Sequence, residues 1–136
     1  MIEYDLWDFL DNRLKNVIQE WAKDDRLTVR SRAALNSKIK RLKQLDYGLA
    51  IQTKLLAGPI YKHIYKLVIH ADIMLRPMLC RGPIDNEREY TFLLGAVEIG
   101  GKLPAGSKEQ AETNREVVIN DPGHRRMRHQ SIPGNA

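Results

Sequence analysis

The chain holds one cysteine, Cys80, in 136 residues, which excludes an internal disulfide and leaves an ordinary apolar core to hold the fold. Cys80 sits inside an apolar run, where a free thiol behaves as a small hydrophobe. We expect a buried structural thiol rather than a nucleophile. No apolar run approaches the ~20 residues that span a bilayer, and Met1-Ile-Glu-Tyr-Asp5 is acidic where a signal peptide is basic. The expectation is a cytoplasmic chain with no membrane partner. Also lacking are a glycine-rich phosphate loop, a His/Cys/Asp grouping at metal-ligand spacing and a Ser–His–Asp pattern. We therefore expect no metal and no cofactor. There is no internal repeat and no low-complexity tract.

What remains is ordinary in amount and uneven in arrangement. Hydrophobic residues make up 43% and charged residues 29%, and the length suits one domain with a modest core. Twenty-two lysines and arginines against 17 acids give a net charge of +5. Glu3, Asp5, Asp8 and Asp11 open the chain without a cation between them. From Arg26 to Lys54 the cations are Arg26, Arg30, Arg32, Lys38, Lys40, Arg41, Lys43 and Lys54, against Asp46 alone. A second cluster is His124-Arg-Arg-Met-Arg-His129, with Arg125, Arg126 and Arg128. Such patches are the footprint of a polyanion binder, or of a helix that is simply well solvated.

Ile2, Tyr4 and Leu6 alternate with Glu3 and Asp5, the period of a half-buried strand at the edge of a sheet. Asp11 or Asn12 then caps a helix whose Leu14, Val17, Ile18 and Trp21 fall on one face. A second helix runs from Thr28 to about Leu45, burying Leu35, Ile39, Leu42 and Leu45. It ends at Asp46-Tyr-Gly48 with Gly48 as the left-handed residue. Residues 49–59 form a connector. Three runs, Ile60–His70, Ile73–Arg81 and Tyr90–Glu98, are rich in β-branched and aromatic residues and read as an antiparallel meander. Ala71-Asp72 turns the first into the second, Pro77 forces an irregularity there, and Gly95 marks a bend. Ser107 with Gln110 fits a capping box for a last helix to about Asn120. The fold class is α+β: one small domain over residues 1–121, with an N-terminal strand and helical hairpin on a curved antiparallel sheet and a C-terminal helix. Residues 122–136 read as a basic, mobile tail.

Strand, helix, helix, meander, helix is the layout of the RelE/HigB-like toxin superfamily of type II toxin–antitoxin systems. Asn16-Val-Ile-Gln-Glu-Trp21 resembles its first-helix signature. Ile64-Tyr-Lys-Leu67 and Leu75-Arg-Pro-Met-Leu79 are similar to its second and third strands. Phe92-Leu-Leu-Gly-Ala-Val-Glu98, Gly101-Lys-Leu-Pro104, Ala111 and Arg115 resemble the last strand, its exit and the following helix in the phage-associated branch. The likeness runs from about Ile2 to Asn120. It implies a toxin that cleaves mRNA without metal, in some members on the ribosome, and that a partner antitoxin, a helix-turn-helix protein, silences. On that likeness Arg76 lies near the scissile phosphate, with Lys66 and Lys102 as further catalytic cations. Arginine suits the task because its planar fork donates two charge-assisted bonds to a phosphate. Arg81, His70 and Arg115, together with the tail arginines Arg125, Arg126 and Arg128, are the RNA-binding candidates. Two departures stand out. Val68-Ile69-His70 replaces the arginine common at the end of the second strand, and Glu98 brings a negative charge where RNA phosphate approaches. The expectations are thus a metal-independent endoribonuclease or, alternatively, a non-catalytic phage-related protein of the same fold that binds RNA or a protein partner. A small α+β domain whose charge serves only solubility is the bland third.

Overall fold

The computed structural model describes residues 3–134. Its elements in chain order are β1 (Asp5–Phe9), α1 (Val17–Trp21), α2 (Val29–Gln44), α3 (Tyr47–Gln52), β2 (Leu56–Tyr61), β3 (Ile64–Leu67), β4 (Ile69–His70), β5 (Met74–Leu75), β6 (Met78–Arg81), β7 (Glu89–Leu94), β8 (Val97–Glu98), α4 (Ser107–Asn120) and β9 (Arg126–Arg128). The fold is α+β. A six-stranded sheet runs β2-β3-β6-β7-β1-β9 and a three-stranded one runs β4-β5-β8. Every pairing is antiparallel except β1 with β7, where Leu6 stands opposite Tyr90 and Asp8 opposite Phe92.

The meander is present, but each of its three strands breaks once, at Val68, at Arg76-Pro77 and at Gly95-Ala96. The breaks divide it into an upper sheet and the small β4-β5-β8 sheet. Pro77 has no N–H to offer, yet its carbonyl accepts from the Leu67 amide at 2.9 Å, so it occupies the break without leaving the ladder. The bulge itself falls on the neighbouring strand. Met78 pairs with Leu94 and Leu79 with Phe92, which leaves Leu93 as the extra residue.

Both faces of the sheet are covered, as the apolar character on each side of the first meander strand requires. Tyr65, Leu67, Ile69, Leu75 and Leu79 pack with Leu35, Ile39 and Leu42 of α2. On the other side Ile64, Met78, Cys80 and Leu93 pack with Ala111 and Val118 of α4. Cys80 is wholly buried, and burial pushes its thiol up to about 12, far from a reactive thiolate.

Several local expectations are corrected. Leu14 is not on the first helix: it is 62% exposed in a left-handed turn, and α1 starts three residues later at Val17, with Asn16 as its cap. The Asn16 side chain accepts from the amides of Ile18 and Gln19, both at 3.0 Å, which neither Asp11 nor Asn12 does. Asp46 does not close the second helix but caps α3, so Gly48 is helical and residues 49–59 are partly ordered as helix and strand. Arg32 is not on the solvated face of α2; it is buried and donates to the Leu27 carbonyl. Ser107 is the first residue of α4, its hydroxyl donating to Pro104 O at 2.7 Å. The cap is Gly106 in a left-handed conformation, with no side-chain bond.

The largest correction is at the C-terminus. Residues 122–134 are not a loose tail. β9 pairs with β1, which is therefore internal to the sheet rather than an edge. The His129 amide donates to Leu6 O at 2.9 Å, and Asn36 clasps the Ile132 backbone through both amide atoms, at 2.8 and 2.9 Å. Ile132 itself is 2% exposed. Ile2, Asn135 and Ala136 lie outside the described residues. Among the described residues no helix is long and apolar enough to cross a membrane.

Candidate functional site

The breaks in the meander place Arg76 and Lys66 side by side beneath Glu98. Arg76 donates through Nη2 to Glu98 Oε2 at 3.2 Å, and Lys66 Nζ donates to Oε1 at the same distance. The other terminal nitrogen of Arg76 is taken by the carbonyls of Leu75 at 2.9 Å and Ile69 at 3.2 Å. Arg76 is only 5% exposed. Burial works to raise the Glu98 carboxyl, but the Lys66 hydrogen bond and the charges of Arg76 and Lys66 outweigh it and hold the group below its ordinary range. One carboxylate thus consumes both cations. The structure does bring Arg76 and Lys66 together, but turned onto a protein anion.

Lys102 stands nearby. It follows the tight Gly100-Gly101 turn, exchanges backbone bonds with Ile99, and shares with Lys66, Glu98 and Lys108 a shallow groove of about 510 Å³. The remaining candidates scatter. Arg81 lies over the Tyr47 ring at 3.8 Å, and Arg115 pairs with the buried Glu112 at 3.2 Å. Arg126 reaches buried Glu89 at 2.7 Å and covers Trp7 at 4.0 Å; Arg128 covers the same ring at 4.4 Å and meets Asp5 at 2.7 Å. Arg125 donates to the Leu10 carbonyl. Most of the tail's charge therefore serves to dock the tail. His70 is exposed at the turn between β4 and β5.

A different surface keeps its cations outward. With Leu35, Ile39 and Leu42 buried, helical spacing sends Lys38 and Arg41 to one flank of α2 and Lys40 and Lys43 to the other. Each flank opens on a cleft. The first, about 450 Å³, is lined by Lys38, Arg41, Lys54 and His70, with Thr53, Leu55 and Val68. The second, about 550 Å³, takes in Lys40, Lys43, Arg128 and His129. Lys43 reaches Glu3 at 3.4 Å, but both groups are well exposed, and such a pair is worth under about 1 kcal/mol and exchanges readily for a phosphate.

His129, a lining residue of the second cleft, takes part in a pairing that sequence reasoning missed. His129 Nδ1 lies 2.9 and 3.0 Å from the two oxygens of Asp8, and Asn16 Nδ2 donates to Asp8 Oδ2 at 2.9 Å. Asp8 is fully buried. The three residues are far apart in the chain, and only the pairing of β9 with β1 unites them. The one available signal was Asp8 itself, an acid standing at an inward position of the β1 alternation.

No family model, no curated protein and no solved structure matches this chain.

Proposed function

We propose that this protein binds RNA through the cationic face of α2, on a toxin-like frame whose usual cleavage position is tied off by Glu98. The observation that carries the reading is the pair of cationic clefts on either side of α2, lined by Lys38, Arg41 and Lys54 on one flank and by Lys40, Lys43 and Arg128 on the other. Phosphate neutralisation by lysine and arginine supplies most of the affinity of such contacts. The resemblance to toxins supports RNA as the polyanion. Cleavage at Arg76 draws no support from the geometry, since a phosphate would have to displace both Glu98 and two carbonyls.

The test is fluorescence anisotropy with a labelled single-stranded RNA over a salt titration. Each phosphate contact on a single strand contributes about 0.7 to the slope of log affinity against log salt. Replacing Lys38, Arg41 and Lys54 together by alanine is expected to lower that slope by about 2 and to weaken binding uniformly across sequences. An unchanged slope in the triple variant, or no salt-dependent binding by the parent chain, defeats the reading.

A further inference from the structure

We infer that the pocket at the start of α2 binds a small monocarboxylate with an apolar body, and that Arg32 takes its carboxylate. The pocket shares no lining residue with either cationic cleft, so the inference goes beyond the RNA-binding reading. Its walls are the end of α1, the connector to α2, the first turns of α2 and the docked tail, and it holds about 540 Å³. That size suits a small organic molecule. Ala22, Leu27, Ile132 and Pro133 supply its apolar lining.

The observation that carries the inference is the state of Arg32. It is 9% exposed and lines the pocket, and its Nη1 donates to the carbonyl of Leu27, another lining residue. The guanidinium is thereby held at the pocket wall. Nε is buried without an acceptor, and Nη2 has no partner among the described residues. Arg76, Arg115 and Arg126, whose side chains are also largely buried, meet the carboxylates of Glu98, Glu112 and Glu89 respectively. Arg32 meets no carboxylate among the described residues. A guanidinium carries five N–H donors, so one carbonyl leaves most of the group unsatisfied away from water. A carboxylate on the Nε–Nη2 edge gives both nitrogens an acceptor through two parallel, charge-assisted bonds.

The surrounding charge favours one carboxylate over a phosphate. Thr28, the cap of α2, also lines the pocket, so the positive pole of this 16-residue helix meets it, and the first turn holds no acid. Asp72 reaches that end of the helix but is taken up by the Thr28 hydroxyl at 2.8 Å and by Arg30 at 3.8 Å. Two lining acids remain. Asp24 is neutralised by Arg26, which donates to its two oxygens at 3.1 and 2.8 Å, whereas Asp25 is exposed at the rim. The other lining cation, Lys23, is exposed and leans on Glu20 at 3.5 Å. One buried cation behind acids at the rim suits a single negative charge and repels a double one.

The isotope-labelled full chain is titrated with sodium hexanoate while its amide resonances are followed, with hexanol and inorganic phosphate in parallel. Hexanoate is expected to move the amides of Ala22, Leu27, Arg32 and Ile132 together and to saturate below about 10 mM. Hexanol lacks the charge and should bind at least about tenfold more weakly, the factor that hydrogen bonds to a charged group supply. Phosphate should leave these amides unmoved. Arg32→Met keeps the apolar stem and should lose at least about tenfold in hexanoate affinity. Hexanoate should also raise the melting temperature of the parent chain and not that of Arg32→Met. No saturation by about 10 mM overturns the inference, as does equal binding of hexanoate and hexanol, or an Arg32→Met chain with the parent's affinity. Shifts confined to the cleft of Lys38 and Arg41 also overturn it, since exposed cations alone then account for the binding. If Arg32→Met does not fold, the comparison of hexanoate with hexanol at the mapped amides of the parent chain decides.

Discussion

Glu98 holds two cations with one carboxylate, and at the residue scale this makes it the most consequential charge in the small sheet. Buried ion pairs add little net stability against an apolar replacement, but removing one partner leaves an uncompensated charge that costs about 3–5 kcal/mol. Glu98→Ala strands Arg76 at 5% exposure and should lower the unfolding free energy by about 3 kcal/mol in urea. Lys66→Ala, at a side chain with 24% of its surface in water, should cost under about 1 kcal/mol. Equal effects in the two variants would refute this account of the cluster. The acid limb follows from the same group. The folded carboxyls of Glu98 and Glu112 lie below the ordinary 4.5, so their stabilisation is complete above that value and is lost as pH falls through the folded values. Glu98→Gln should therefore flatten the decline of melting temperature below pH 4.5. The place of Arg76 beside Pro77 was legible in the sequence. Its direction was not, because Glu98 lies 22 residues away and comes within reach only through the pairing of β5 with β8, where Met74 stands opposite Glu98.

At the scale of elements, the meander was readable because three β-branched runs are separated by turn residues, and α2 because its apolar stripe keeps helical spacing over 16 residues. Short elements were readable only in part. The α1 helix was legible from Val17, Ile18 and Trp21 but its start was not, and the six-residue α3 was missed; each is set by its cap, Asn16 and Asp46. Gly95 shows what a break in a strand can be for. A Cβ there would stand 2.0 Å from Cδ2 of Trp21, so the strand opens where α1 lays its indole against the sheet. No left-handed backbone is involved; the constraint is space. Gly95→Ala must push the indole or the strand aside, and overpacking of this kind costs about 1–3 kcal/mol. The expected result is a lower urea midpoint with a changed near-ultraviolet circular dichroism signal from the tryptophans. A midpoint equal to that of the parent chain would show that the indole has room to move.

For the whole molecule the deciding question is whether residues 122–134 belong to the fold. Sequence pattern argued against it, since the segment has no apolar period and ends in Pro133-Gly134. Its partners are instead Asp8, Glu89, Trp7 and Asn36, spread over three elements, so nothing local signals them. Removing residues 122–136 would open the β1 edge and expose the site of Ile132. It would also leave Asp8 and Glu89 buried without Arg126 and His129. Each stranded carboxylate costs about 3–5 kcal/mol, and burial of one isoleucine contributes about 1.5–3 kcal/mol. Together these rival the ~5–15 kcal/mol that holds a typical domain. The truncated chain should therefore show no cooperative thermal transition. Asn36→Ala, which only loosens the clasp, should lower the melting temperature by a few degrees, since 1 kcal/mol in a domain of this size moves the midpoint by roughly 2–8 °C. A truncated chain that melts cooperatively at the parent temperature would make the tail an accessory strand.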